Sequence, residues 1–273
     1  QGLVENVQIL SSNLVSNGDF SQEGVQEVSN GSFSQEGAEL ISAASWSNQT
    51  SGTATISNGV ITFVNGTGYL AQGGISANKF YKFVVTLSNV TQGSFKITTE
   101  GSVNTETLST NGVHEFYLQS TSAGGVFIIP QSNFIGSINN VSVKEVGQDW
   151  TLGTGWSIGA DKALNTGGAN FSDLTQNNTN ITIGKNYEIT YTVSDYVSGS
   201  FKFIMNNNSA SGLEINADGT YTDYISALSQ GYSFRTQGSG FVGSITNISV
   251  KEVGQNWTLD DWSVGDSLVS SGN

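Results

Sequence analysis

The amino-acid sequence predicts an all-β protein built from tandem antiparallel β-sandwich modules. Three observations predict this fold class: an internal repeat of about 107 residues, apolar residues that alternate with polar ones, and Asn-Gly or Asp-Gly pairs between the alternating segments. A period of this length suits a sandwich domain and is too long for a solenoid repeat. No segment has the spacing of an amphipathic helix of about ten or more residues.

The repeat is clearest at the end of each module. Residues 134–150 read FIGSINNVSVKEVGQDW and residues 241–257 read FVGSITNISVKEVGQNW, an offset of 107 residues. Both copies run on into Trp-Thr-Leu, so a third unit begins before the sequence ends. The predicted division is an N-terminal extension (1–39), module 1 (40–147), module 2 (148–254) and the start of an incomplete third module (255–273). Because the sequence opens with Gln1, we also expect that an upstream portion has been removed or left out.

A shorter repeat lies within the N-terminal extension. Residues 16–24 read SNGDFSQEG and residues 29–37 read SNGSFSQEG. The motif is typical of the start of a module. We expect one copy to supply the first strand of module 1 and the other to form a linker or a surface extension.

Strands follow from a periodicity of two, which marks segments with one buried face. The residues predicted to point inward are Tyr81, Phe83, Val85 and Leu87 in module 1 and Tyr187, Ile189, Tyr191 and Val193 in module 2. With the turn signals between them, each module should hold eight or nine short strands. The last strand changes phase at Asn139-Asn140 and at Thr246-Asn247, which predicts a β-bulge. The Lys-Glu pair after each bulge is expected to leave the module in solvent, either ion-paired or solvated.

Composition and charge exclude several classes of function. The net charge of −13 repels phosphate backbones, so neither nucleic acid nor an anionic membrane is an expected partner. The chain has no Cys and a single His, His114, which rules out thiolate zinc sites and multi-His metal centres. No nucleophile elbow, phosphate loop or pair of recurring acids suggests catalysis. We therefore predict a protein that is not an enzyme and has no cofactor and no metal; Asp19 and Asp149 lack a second acid at calcium-binding spacing.

Aromatic side chains are the candidate binding residues. An indole or phenol ring can stack on a sugar, but a sandwich also needs large rings between its sheets. The core interpretation is favoured for Trp150 and Trp156, and both interpretations stay open for Trp46. The predicted ligand-binding residues are Trp46, Tyr69, Tyr117, Trp156 and Tyr224.

These motifs carry a resemblance that covers nearly the whole chain. The segment LVSNGDF at 14–20, a later Trp and the closing GSINNVSV resemble jelly-roll carbohydrate-binding modules. The order DWTLGTGWSIG, SGS and SVKE resembles module arrays in the tail and head fibres of marine bacteriophages. The resemblance implies a jelly-roll fold with non-catalytic glycan recognition or fibre building. Such modules often bind a structural calcium through acids at positions where this chain has Ser21 and Asn139-Asn140 (Thr246-Asn247 in module 2), so the sequence departs from the calcium-binding pattern of the family.

Three functions follow as hypotheses. The favoured one is a virion fibre or appendage at the virion surface or outside the cell, whose modules attach to host-surface polysaccharide and gain avidity from repetition. It would form a homo-oligomer and contact other virion or fibre subunits. The second is a purely structural decoration, spacer or self-assembling filament. In it, residues 255–273 either complete a neighbouring chain by strand addition or belong to a longer polypeptide of which this sequence is a part. The third is the binding appendage of a secreted polysaccharide-active enzyme or of a bacterial surface adhesin.

Overall fold

The structure, a computed structural model, describes eight stretches of the chain. They are residues 22–42, 45–48, 54–101, 105–177, 180–205, 210–255, 262–265 and 268–271, the last two as backbone only. These stretches form strands and turns and contain no helix, so none of their segments is a helix that could cross a membrane. The all-β prediction is confirmed.

Twenty strands make up the described fold. In chain order they are β1 (Glu23–Gln26), β2 (Glu36–Glu39), β3 (Ser47–Asn48), β4 (Ala54–Ser57), β5 (Val60–Gly66), β6 (Leu70–Ile75), β7 (Lys79–Thr99), β8 (Glu106–Leu108), β9 (Gly112–Ser120), β10 (Gly124–Val146), β11 (Thr151–Leu152), β12 (Trp156–Gly159), β13 (Lys162–Thr166), β14 (Asp173–Gln176), β15 (Asn186–Ile204), β16 (Ser211–Ile215), β17 (Gly219–Ser226), β18 (Tyr232–Val253), β19 (Trp262–Gly265) and β20 (Leu268–Ser271).

Hydrogen bonding joins eighteen of these strands into two equivalent nine-stranded sheets, and β19 pairs only with β20. Strands β2 to β10 form module 1, and β1 with β11 to β18 forms module 2. The described part of each module therefore has nine strands, within the predicted range. The pairings correspond one to one; for example β3 pairs with β6 as β11 pairs with β14.

A long bent ribbon organises each module. In module 1 it is β7 paired with β10, and in module 2 it is β15 paired with β18, each in antiparallel register with shifts near the middle. Glycines with positive φ, Gly93 and Gly199, lie at the bend. One half of the ribbon lies in a front sheet (β3-β6-β10-β7-β8, or β11-β14-β18-β15-β16). The other half lies in a back sheet with β4, β5 and β9, or with β12, β13 and β17.

The two halves of the ribbon pack against each other and close the sandwich. Tyr191 lies in the back half of β15, and its ring is 5.8 Å from Phe201 and 5.1 Å from Phe234 in the front sheet. The rings meet at tilted and edge-on angles, as is favourable for aromatic pairs. The residues that the alternation predicted to point inward are all buried. Burial of these apolar rings between the sheets is the main stabilising contribution to each module.

The predicted β-bulges are present. In module 1, β10 has an extra residue between Ile138 and Asn140 relative to β7. In module 2 the shift lies between Thr246 and Ser249, where Asn247 has a φ of 53°. The extra residue lets both Ile138 and Val143 point into the core despite their odd spacing.

The Lys-Glu pairs after the bulges lie within the last strands and are ion-paired, so the ion-paired alternative is the correct one. Lys144 contacts Glu36 at 2.9 Å, and Lys251 contacts Glu23 at 2.7 Å. The glutamates pair with lysines at the start of the long strands: Glu145 with Lys79 at 2.8 Å, and Glu252 with Lys185 at 3.3 Å. Partial exposure makes each pair weak. The Lys-Glu dipeptide therefore serves the same purpose in both modules. Its lysine holds the short N-terminal strand (β2 or β1), and its glutamate holds the start of the long strand (β7 or β15).

Glu36 makes the attachment of β2 sensitive to acid. Hydrogen bonds from Lys144 and Lys82 lower the pKa of Glu36 below its ordinary value of 4.5. Because the pKa is lower in the folded state, this contribution to stability is present above about pH 4.5 and is lost as the pH falls through the folded-state pKa. We expect the amides of β2 to lose hydrogen-exchange protection on acidification. A Glu36→Gln variant should show less of this pH dependence, and an unchanged acid response in that variant would contradict the prediction.

The duplicated N-terminal motif serves both modules. The second copy ends in β2, which pairs with β10 of module 1, whereas the first copy ends in β1, which pairs with β18 of module 2. Neither described strand is a linker or a surface extension. The strand partner of β1 lies more than two hundred residues later in the sequence, after the whole of module 1. The sequence near β1 therefore gives no sign of this pairing and suggests an extension instead. The crossover segment (residues 27–35) joins the two strands, and its residues Asn30 and Phe33 contact Gln148 and Trp150, which lie between β10 of module 1 and β11 of module 2.

Strands β19 and β20 form a hairpin with the register of β12 and β13. The first strand of each hairpin reads Trp-Ser-Ile-Gly or Trp-Ser-Val-Gly. The hairpin is consistent with the start of a third unit, although the remainder of residues 255–273 lies mostly outside the described residues. The division of the chain at 39, 147 and 254 stays a prediction.

Candidate functional site

The two predicted tryptophans lie in the hydrophobic cores. Trp46 is 7% exposed within the core of module 1, and Trp156 is 4% exposed within that of module 2, with its ring 6.3 Å from Phe241. Nε1 of Trp156 donates a hydrogen bond to the Ser172 carbonyl at 3.4 Å. Such burial leaves no indole face open to a sugar, so both rings fill the space between the sheets. This corrects the expectation of stacking by Trp46 and Trp156.

The three predicted tyrosines are half-buried and lie apart. Tyr117 and Tyr224 occupy equivalent positions, opposite Lys82 on β7 and opposite Glu188 on β15. Tyr224 donates a hydrogen bond to Glu188 at 2.7 Å, whereas Tyr117 donates one to Glu115 at 3.0 Å and packs against the core of module 2. Tyr69 lies on the front sheet of module 1. Ligand binding by these tyrosines stays a prediction.

The outer face of the front sheet of module 2 carries an open polar groove. Strand β14 lies beside β18, and β18 lies beside β15 and then β16, so their outward side chains line up in rows. One such row is Asp173, Arg235, Lys202 and Glu214, each opposite the next in register. The row has two cations in the middle and an acid at each end, and each cation is ion-paired with the neighbouring acid. The row forms a flat polar floor.

Asp173 and Arg235 form the central pair of this floor. Nε of Arg235 donates to one carboxylate oxygen and Nη2 to the other, both at 2.8 Å. This two-bonded geometry is the strongest form of an arginine–carboxylate contact. The hydrogen bond to Asp173 raises the pKa of Arg235 further above its ordinary value. The guanidinium is thus held in one orientation, and its remaining N–H groups do not bond to Asp173.

Two cavities adjoin this pair and share the β14 side chains Asp173 and Thr175. One has a volume of about 290 Å³ and the other about 380 Å³. Their lining is rich in hydroxyl and amide groups, contributed by Thr151, Thr154, Asn170, Asn177, Gln230 and Ser233. Together they form an open groove across the sheet. Such a groove offers many hydrogen-bond donors and acceptors together with some apolar surface.

Phe171 supplies the apolar element at the rim of the groove. Its side chain is 58% exposed, and its backbone has a φ of 55°, an uncommon conformation for a bulky residue. Backbone bonds hold it there: its N–H donates to the Thr236 carbonyl at 3.1 Å, and the next N–H donates to Thr236 Oγ1 at 2.9 Å. A strained, exposed aromatic residue held in place by its surroundings makes the groove a candidate binding site.

The chain matches no protein-family model and no curated protein. Among solved structures it is similar to the N-terminal CBM22-1-CBM22-2 tandem domain of Xyn10C from Paenibacillus barcinonensis. The TM-score is 0.28 and the sequence identity 9%, with 80% of this chain and 99% of that chain covered. The function of the groove therefore has to follow from its own residues.

The equivalent face of module 1 has a different chemistry. Tyr69 takes the place of Asp173, Phe127 that of Ser233 and Ile129 that of Arg235, as the strand registers show. The rings of Tyr69 and Phe127 meet edge-on with centroids 5.9 Å apart. Lys96 is exposed beside them, and it is the one lysine among the described residues without an ion-pair partner. Module 1 thus presents a partly aromatic surface where module 2 presents a polar groove.

The main residues of the groove were missed at the sequence level. A signal existed for Arg235, because it is the only arginine in the chain. Phe171 lies in the loop between β13 and β14, which is longer than the equivalent loop between β5 and β6. A segment that is present in one module and missing from the other is a feature that a comparison of the two repeats could have found. The pairing of Asp173 with Arg235 depends on strand register and gives no local signal. Within the described residues, no three acidic or His side chains are close enough to hold a metal ion.

Proposed function

We propose that the protein is a non-enzymatic glycan-binding protein and that the front-sheet groove of module 2 is its binding site. The observation that carries this proposal is the combination of an exposed, strained Phe171 with the fixed Asp173–Arg235 pair on a polar floor. A ring at the rim can stack on the apolar face of a sugar. The guanidinium, carboxylate and hydroxyl groups can then bond to the sugar hydroxyls.

Charge restricts the class of glycan. The chain has a net charge of −13, and Arg235 is neutralised by Asp173 within the groove. An anionic polysaccharide would meet a repulsive field without a compensating free cation. We therefore propose a neutral polysaccharide as the ligand.

The setting that we propose is an extracellular fibre or appendage at the surface of a virion. Its sequence resemblance to phage fibre modules and its tandem architecture support this setting. The groove is shallow and binding at a single site is expected to be weak, so attachment to a host-surface polysaccharide would rely on several copies of the chain. Partners would be the host glycan and other fibre subunits.

Replacing Phe171 by alanine tests the groove. We expect the affinity for the bound polysaccharide to fall by about tenfold or more, because stacking is lost. The free energy of unfolding should stay unchanged or rise slightly, since alanine places no bulky ring at this exposed position. The measurement is a glycan array of bacterial-envelope, algal and plant polysaccharides, followed by calorimetric titration of the best ligand.

Val113→Ala is the matched control, because Val113 is 69% exposed on the back sheet of the other module. The affinity of the Val113→Ala variant for the polysaccharide should equal that of the unaltered protein. Arg235→Gln should also weaken binding. Absence of binding to every glycan on the array, or an unchanged affinity in the Phe171 variant, would overturn the proposal.

A structural spacer is the second candidate function, and the junction between the modules favours it. Phe33 of the crossover segment is 1% exposed and packs 5.2 Å from Trp150, in an apolar cluster that also includes Phe80 and Val146 of module 1. A continuous apolar cluster across a junction restrains the two modules relative to each other. The glycan array separates this function from the first, since a pure spacer binds none of the sugars.

A further inference from the structure

The strands β1 and β2 make the same set of contacts with different modules. Glu23 pairs with Lys251 as Glu36 pairs with Lys144. The side chain three residues further on accepts a hydrogen bond from the backbone of the last strand: Gln26 from Val250 at 2.8 Å, and Glu39 from Val143 at 2.7 Å. The sites that receive these strands are therefore equivalent and are built to accept one short sequence pattern.

The site on module 2 is filled by a strand that is not contiguous with that module. Glu23 and Lys251 are 228 residues apart in the sequence, and the whole of module 1 lies between β1 and the body of module 2. The stretch of chain that connects β1 to the body of module 2 takes no part in the contacts between β1 and β18. The same bonds can be formed by the equivalent strand of another molecule.

The crossover segment adds a specific anchor to the strand. Phe33 is buried against Trp150, whose Nε1 donates a hydrogen bond to the Asn30 carbonyl at 3.1 Å. Further along, Ile248 donates its backbone N–H to the Gly31 carbonyl at 3.0 Å. The anchor is a buried aromatic ring in a pocket, which is the usual form of a dominant contact in an interface.

We propose that module 2 contains a strand-acceptor site, formed by the edge of β18 that pairs with β1 and by the pocket at Trp150, and that its ligand is the donor segment (residues 22–35) of a second copy of this chain. The edge of the strand provides the affinity through main-chain hydrogen bonds, and the Phe33 pocket provides the specificity. Exchange of donor segments would link chains into dimers or longer assemblies without any new interface.

A labelled peptide tests the site directly. The probe is a fluorescent peptide of residues 22–35, titrated into the full chain carrying Gly31→Val. A Cβ at position 31 would collide with the backbone carbonyl of Ile248, so this variant should release its own donor segment. We expect saturable binding to the variant, and at least about tenfold weaker binding to the unaltered chain, whose site is occupied.

Two controls define specificity. A peptide with Phe33→Ala should bind about 100-fold more weakly, because it lacks the buried ring. A chain that carries Lys251→Glu in addition to Gly31→Val should bind the Glu23→Lys peptide better than the unaltered peptide. Equal binding of the Phe33→Ala and unaltered peptides would indicate non-specific adhesion and overturn the proposal.

A second measurement needs no variant and covers the case in which Gly31→Val does not fold. Isotopically light and heavy copies of the unaltered chain are mixed at high concentration and examined by native mass spectrometry. We expect mixed dimers whose population falls when excess unlabelled peptide is added. Absence of mixed dimers, or dimers that the peptide does not displace, would overturn the proposal. Neither experiment involves a glycan, so the result is independent of the proposed function.

Discussion

Replacement of Gly199 by alanine is expected to unfold module 2 while module 1 stays folded. Gly199 lies at the bend of the β15–β18 ribbon with a φ of 78°. A Cβ there would collide with the carbonyl oxygen and carbon of Gly240, which are backbone atoms and cannot rotate away. The ribbon has to move as a whole to make room, and the ribbon belongs to both sheets.

The cost has two parts. A left-handed conformation costs an L-residue roughly 1–2 kcal/mol, and forcing extra atoms into a packed region costs typically about 1–3 kcal/mol. Together they amount to about 2–5 kcal/mol, which reaches the lower end of the free energy of unfolding of a small domain. Hydrogen exchange resolved by mass spectrometry is the measurement, because peptides from β15 and β18 report on module 2 and peptides from β7 and β10 on module 1.

Gly238→Ala is the matched control for this substitution. Gly238 also has a positive φ, 56°, but no atom lies within 4 Å of the Cβ that alanine would add. Only the conformational cost remains, about 1–2 kcal/mol, and module 2 should stay folded. If the two variants lost protection equally, backbone strain alone would explain the effect and the collision with Gly240 would be irrelevant.

The fold could be predicted from the sequence because its signals are local. Alternation over a few residues identifies the buried faces, and a phase change of one residue at Asn139-Asn140 identifies the bulge. The repeat then doubles the signals of the core, since buried residues that recur at the same offset occupy equivalent positions in the two modules. The burial of Tyr81 and Tyr187 in equivalent positions is one such case.

The site depends on pairings between distant strands, which leave no trace in a single sequence. Asp173 and Arg235 become partners only once β14 and β18 are in register. The same limit applies to β1, whose sequence is nearly that of β2 but whose partner lies in the other module. Tryptophans were misleading for a related reason: Trp46 precedes β3 in a polar stretch, and its burial arises only when the two sheets of module 1 close over it.

Trp150→Ala is expected to destabilise module 2 and to loosen its junction with module 1. The side chain is 7% exposed, 5.2 Å from Phe33 and 6.2 Å from Tyr232. Removing a buried tryptophan costs about 3–5 kcal/mol, and the Asn30 carbonyl also loses its donor. The crossover segment and β1 should therefore lose hydrogen-exchange protection along with the body of module 2.

Trp46→Ala is the matched comparison. Trp46 has the same exposure, 7%, and also directly precedes a short strand of the front sheet, but the apolar cluster around it contains only residues of module 1. We expect a similar loss of stability confined to module 1, with β1 still protected. Calorimetry of both variants measures the difference, because only the Trp150 variant should alter how the two modules unfold relative to each other. If both variants left the crossover segment equally protected, Phe33 and Trp150 would fill space without coupling the modules, and neither a rigid spacer nor a specific acceptor pocket would be tenable.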